Sequence, residues 1–158
     1  MASTAFEPAG GLRMLVSLEG VSLPISLVDL DRMQYRAEDV NRYLASMFEG
    51  YLEPRRRMVV AVVEGDGYVH GLNFVFGLAT PEIGVASVYT RRLEALSPGL
   101  YVERVAKEVV HEIGHLLGLG HCSNPHCVMS FSNSVSDVDR KEAGFCNSCV
   151  LKLSRLMV

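Results

Sequence analysis

Three histidines and one glutamate fall in the order His111-Glu112-x-x-His115-x-x-Gly118-x-x-His121. On an α-helix, His111 and His115 stand one turn apart, so both imidazoles project from one face. Glu112 sits beside the first of them, within reach of a water on that face. Gly118 can adopt the left-handed conformation that stops a helix and turns the chain back, which frees His121 to join the pair. Three neutral imidazoles and one open position make the ligand set of a catalytic zinc. Such a set leaves the ion its full charge, which lowers the pKa of a bound water to about 7. Glu112 is then the general base that takes the water's proton as it attacks a carbonyl, and the acid that returns it to the leaving group. The alternatives are histidines on an ordinary core helix, and a Glu112 that orients a structural site.

A second cluster follows at once. Cys122-x4-Cys127 and Cys146-x2-Cys149 offer four thiolates in two close pairs, the donor set of a closed structural zinc site. Two disulfides, or a redox Cys-x-x-Cys, are the competing readings, and His126 could replace one cysteine. The expected cofactors are two zinc ions per chain, one catalytic and one structural. The three imidazoles would also accept cobalt, nickel or copper. His70, alone in a strand-like stretch, reads as a surface or structural histidine.

These groups need a scaffold, and 158 residues suffice for one domain with a core. The expectation is a single domain over 1–158. Residues 1–121 would form an N-terminal subdomain with the sheet and active-site helix, and 122–158 a C-terminal subdomain. Hydrophobic residues are 49% and charged residues 21% of the chain, a globular balance. A net charge of -3 argues against a nucleic-acid surface, and Arg55-Arg56-Arg57 reads as a solvated loop. Met1 to Gly11 lacks the marks of a secretory signal, and the longest apolar runs fall far short of a membrane span. A cytoplasmic, monomeric protein without membrane partners is therefore expected. A reducing compartment favours metal ligation over disulfides.

Leu12 to Leu18 reads as a first strand, and Arg36 to Phe48 has helical spacing at Val40, Tyr43, Leu44, Met47 and Phe48. Met58 to Val63 reads as a buried strand, Val69 to Leu78 and Ile83 to Tyr89 as two more. Ser97 and Pro98 are helix-start residues. Apolar residues from Val102 to Leu117 predict one long active-site helix over about 98–118. Cys122 to Ser136 reads as loop, and Cys149 to Met157 as a short terminal helix. The predicted class is α+β: a mixed, twisted sheet, two long helices and a small zinc-stapled C-terminal part.

The histidine motif, with Cys127-Val128-Met129-Ser130 after it, resembles the metzincin clan of zinc metallopeptidases. By that resemblance Met129 packs in a turn under the metal, and Leu72-Asn73-Phe74-Val75-Phe76 is the edge strand against which a substrate pairs. Direct continuation of the histidines into Cys122, then Cys127 and the Cys146/Cys149 pair, resembles the archaemetzincin (archaelysin) family. Phe131-Ser132-Asn133-Ser134, Asp139, Lys141 and Phe145 are similar to that family's tail. The likeness is specific from Val102 to Cys149 and topological upstream. It implies a cytosolic zinc peptidase with one catalytic and one structural zinc. Phe131 stands where some metzincins carry a tyrosine, so no phenol is expected at the metal. No prosegment with a blocking cysteine is evident.

The expected function is zinc-dependent peptide-bond hydrolysis acting on peptides or unfolded protein, in a shallow cleft. No acidic group that would grip a free amino terminus is identifiable, so exo- and endopeptidase action both stay open. The alternative is a zinc-containing peptide-binding protein with little or no hydrolysis, against which the intact Glu112 argues.

Overall fold

The computed structural model describes Ser17 and residues 20–157; the strand expected over Leu12 to Leu18 lies outside the described residues apart from Ser17. Among the described residues the strands form two small sheets where one mixed sheet was expected, and each mixes parallel with antiparallel pairing. One joins β1 (Val28–Asp29), β2 (Gln34–Arg36) and β4 (Gly67–Tyr68). The other has the order β3 (Val59–Val63), β6 (Val85–Tyr89), β5 (Gly77–Thr80).

β6 is buried at every residue, because a helix covers each of its faces. Val85 and Tyr89 pack with Ala37, Val40 and Leu44 of α1 (Ala37–Met47). Val88, on the opposite face by strand alternation, packs beside Val105 and Val109 of α2 (Pro98–Leu116). β3 runs parallel to β6 and β5 antiparallel, so among the described residues β3 and β5 are the edges of this sheet. That position explains why Val62 of β3 is 55% exposed, where a buried strand was expected. Asn41 of α1 ties the opposite edge down, its Nδ2 donating to Leu78 O at 2.9 Å and Thr80 Oγ1 at 3.0 Å.

The strand expected over Val69 to Leu78 is mostly not a strand. Only Gly77 and Leu78 belong to β5, and Val75 makes an isolated bridge with Gly67. Side chains take the backbone acceptors that a ladder would use: Arg32 donates to Leu72 O and Asn73 O, and Gln34 Nε2 to Asn73 O at 2.9 Å. The segment Asn73, Phe74, Val75, Phe76 is therefore an irregular rim leading into the edge strand, and the edge strand itself is Gly77–Thr80.

α2 starts as its sequence predicts, with Ser97 Oγ accepting from the Leu100 amide at 3.4 Å and Pro98 in the first turn. It stops at Leu116, two residues earlier than expected. Gly118 has φ +101; its amide donates to His115 O, and the Leu119 amide to Gly114 O, both at 2.9 Å. That pair of bonds is a Schellman cap. α3 (Val135–Arg140) begins in the last two residues of the stretch expected as loop, Cys122 to Ser136, and was not expected as a helix. Asp137 Oδ2 accepts from the backbone of Asn133 and Ser134 and from Ser134 Oγ, and Ser134-x-x-Asp137 is a capping box. α4 (Asn147–Leu156) matches the expected terminal helix. Its Cys149 and Leu153 pack with Val110 and Ile113 of α2, with Leu117 at the end of that helix, and with Val128 and Met129. No described helix is long and apolar enough to cross a membrane.

Candidate metal centre and cleft

His111 and His115 lie in the last turns of α2, and the Schellman cap redirects the chain so that His121 returns to them. The three histidines each offer a ring nitrogen within 4.8 Å of the others. His111 Nδ1 lies 2.7 Å from Val128 O, and His115 Nδ1 lies 2.8 Å from Leu119 O. A carbonyl only accepts, so each Nδ1 carries the proton and donates, leaving both Nε2 lone pairs free. Those two Nε2 atoms converge to 3.0 Å. Two unprotonated nitrogens so close repel unless a cation sits between them. A tetrahedral zinc with bonds of about 2.0–2.1 Å sets its nitrogens about 3.3 Å apart, so the donor set fits that ion.

Electrostatics keep the donors in the ligating form. Burial, with the Lys141 ammonium second, pulls the His111 pKa down to about 2. Burial likewise lowers His115 and His121. Met129, fully buried, packs beneath the helix at Gly114, where a Cβ would overlap its sulfur.

A cleft of about 680 Å³ opens over this centre, lined by Phe74, Phe76, Gly77, Glu112, His121 and Phe131 among others. Glu112 is 3% exposed, and its carboxylate feels burial and the charges of Glu108 and Lys141 without a hydrogen bond among the described residues. Burial first, and then the neighbouring Glu108, push its pKa well above the usual carboxylate value. The β5 backbone passes directly over it, so a Cβ at Gly77 would overlap the carboxylate. Phe131 is 53% exposed, with its ring 5.1 Å from His121 and tilted toward it. His70 is exposed and His126 likewise.

The four cysteines come together without His126. Cys122 Sγ lies 3.7 Å from Cys146 Sγ, and Cys127 Sγ 3.7 Å from Cys149 Sγ. These separations are too long for the disulfide reading, whose bond is about 2.05 Å. They match a tetrahedral zinc with bonds of about 2.3 Å, whose sulfurs sit about 3.8 Å apart. The Cys149 amide lowers the Cys146 pKa to about 7, while burial raises Cys127 and Cys149. Two clusters thus flank one short loop, since the Cys122 amide donates to Met129 O at 2.9 Å.

A family model, Peptidase family M54, matches residues 9–155. The chain belongs to that family. The archaemetzincin of Aeropyrum pernix is 53% identical over 139 residues, which are 88% of this chain and 75% of that protein. The archaemetzincin crystal structure from Archaeoglobus fulgidus matches with TM-score 0.74 and 41% identity, over 85% of this chain and 79% of that one. A zinc-dependent peptidase from Methanocorpusculum labreanum matches with TM-score 0.81 and 31% identity, over 96% of this chain and 91% of the other. The M54 chain is thus a metzincin-type zinc metallopeptidase by family, with histidine and cysteine groups able to hold metal.

A buried ion pair behind the M54 cleft, of which Glu108 alone lines the cavity, carries no role in the sequence reading. Lys141 Nζ donates to Glu108 Oε1 at 3.0 Å and lies 3.5 Å from His111 Nδ1. Glu108 was detectable in principle, four residues before Glu112 and so on the same helix face. Lys141 was visible only as a family resemblance, because its approach depends on how α3 returns the chain. Arg104 reinforces that return with a two-pronged pair to Asp139, at 2.7 and 2.8 Å.

Proposed function

We propose that this protein hydrolyses peptide bonds at the three-histidine centre, with His111, His115 and His121 holding a catalytic zinc and Glu112 as general base. Zinc held there would supply a Lewis acid for a water and for the substrate carbonyl. Glu112 is the residue placed to take a proton from the attacking water and return it to the leaving amine. Its position under the cleft, beside the three imidazoles, suits both tasks. The observation that carries this reading is the unengaged Glu112 carboxylate beside three converging imidazoles. Val128 O and Leu119 O hold the ring orientation of His111 and His115, and Met129 supports the helix turn between them.

β5 lies at the sheet edge above the centre, and an extended substrate can add to it as a further strand. The rim Asn73, Phe74, Val75, Phe76 then contacts substrate side chains. Peptides and unfolded protein segments are the substrates this edge can receive. Cys122, Cys127, Cys146 and Cys149 hold a second, structural zinc that fixes the loop carrying Val128 and Met129.

Metal counting combined with cleavage of a mixed peptide library tests the assignment. The wild type should carry two zinc ions per chain. His115→Ala should lose one zinc and all cleavage, and Cys146→Ser should lose the other along with folding stability. One zinc in both the wild type and Cys146→Ser removes the structural zinc; cleavage that survives His115→Ala removes the catalytic assignment.

A further inference from the structure

The cleft wall carries one polar place that the hydrolytic step does not use. Glu108, one turn before Glu112, lines the cleft although it is only 2% exposed. Lys141 donates to its Oε1 at 3.0 Å, is itself 2% exposed, and does not line the cleft. The pair is therefore oriented, with the ammonium inside the protein and the carboxylate at the wall. No other hydrogen bond engages Glu108 among the described residues. Burial raises its pKa, and Lys141 opposes that rise.

A second polar group lines the same cleft. Ser132 Oγ is buried and has no hydrogen-bond partner. The apolar wall nearby is aromatic. Phe74 and Phe76 pack edge to face with centroids 5.1 Å apart, beside Val105 and Val109, the α2 residues that bracket Glu108.

We propose that Glu108 and Ser132 form the polar floor of a substrate subsite that selects a basic side chain next to the scissile bond. Resting on the peptidase reading above, this names the substrate class of the same cleft. A lysine or arginine lays its hydrocarbon stem along the phenyl rings and brings hydrogen-bond donors to the Ser132 hydroxyl, which otherwise has no partner, and to the cleft side of the Glu108 carboxylate, whose Oε1 Lys141 holds from behind. An apolar side chain of equal length leaves the Ser132 hydroxyl without a partner and Glu108 with Lys141 alone, and a site built to hydrogen-bond discriminates against such an analogue. An acidic side chain meets Glu108 and Glu112 and is repelled.

The test uses zinc-loaded full-length protein and peptides that differ at one residue on either side of the cleaved bond: lysine, arginine, norleucine or glutamate. Binding is measured on Glu112→Gln, where turnover is removed, and kcat/KM on the wild type. Lysine and arginine should exceed norleucine by roughly 10- to 100-fold at one of the two positions, with glutamate weakest. The paired variant Glu108→Leu/Lys141→Met removes both charges together, so no lone buried charge remains, and should abolish the preference while norleucine peptide still binds. Ser132→Ala, which leaves the ion pair intact, should narrow the preference several-fold even if the paired variant does not fold. Equal binding of lysine and norleucine peptides, or an unchanged ranking in Ser132→Ala and the folded paired variant, overturns the subsite. A lysine preference in binding with no cleavage of any peptide supports the subsite and contradicts only the hydrolytic reading.

Discussion

Two glycines show how single atoms separate support from chemistry at this site. At Gly114 an added Cβ would overlap the buried Met129 sulfur and press on Phe145. Neither neighbour can withdraw from a packed core, so Gly114→Ala should destabilise the protein by about 1–3 kcal/mol, partly offset by alanine's helix preference. Urea titration checks this. At Gly77 the added Cβ would meet the Glu112 side chain from Cγ to Oε1 instead. That side chain borders the cleft and can swing into it, so stability is kept while the carboxylate is misplaced. Gly77→Ala should therefore lower kcat by about 100-fold with zinc content and midpoint of unfolding nearly unchanged. A Gly77→Ala enzyme of wild-type rate would show that Glu112 needs no such close positioning. The histidines, Glu112 and the cysteines were legible as residues because their spacing is local. The role of Gly77 was not, because it depends on what another segment brings against it, and Glu108 showed only its place on the helix face and not its Lys141 partner.

At the scale of elements, the end of α2 matters more than its length. Gly118 at φ +101 lets the Leu119 amide reach back to Gly114 O, and Leu119 O then receives the His115 Nδ1 proton. One cap thus ends the helix, orients a ligand and turns the chain toward His121. Gly118→Ala forces a Cβ into the left-handed region, which costs roughly 1–2 kcal/mol. It should lower zinc affinity at the histidine centre and leave the cysteine zinc in place, as read by chelator competition. Helix α2 was legible from Ser97, Pro98 and its apolar period, and the stop from Gly118. The 69–76 stretch was misread as strand because its alternation of apolar residues is real, while Arg32 and Gln34, some forty residues earlier, take its carbonyls. Helix α3 was missed because a six-residue helix has too little periodicity to register, although its Ser134-x-x-Asp137 cap was there to find.

At the scale of the whole molecule, the centre is a cost that metal binding offsets, and pH exposes it. His111 has a folded pKa of about 2 against about 6.5 for the unfolded chain. Between those values the unfolded state binds a proton that the native state refuses, so stability is complete above about pH 6.5 and declines as pH falls. The slope is about 1.4 kcal/mol per pH unit. Glu112, with its raised pKa, acts oppositely: the native state takes up a proton sooner than the unfolded one, so acidification favours the fold. Metal-free Glu112→Gln should therefore lose more stability between pH 7.5 and 5.5 than metal-free wild type, by urea titration. Equal losses would contradict the opposed shifts. The α+β class and the order of helices were legible, while the division into two sheets was not, since β1, β2 and β4 have only two or three residues each. Catalysis by Glu112 at a histidine-held metal is the central claim, and cleavage of a mixed peptide library by wild type and Glu112→Ala, with zinc counted in both, tests it most directly. Equal zinc in the two proteins and cleavage by the wild type alone is the predicted result; cleavage unchanged in Glu112→Ala would contradict it.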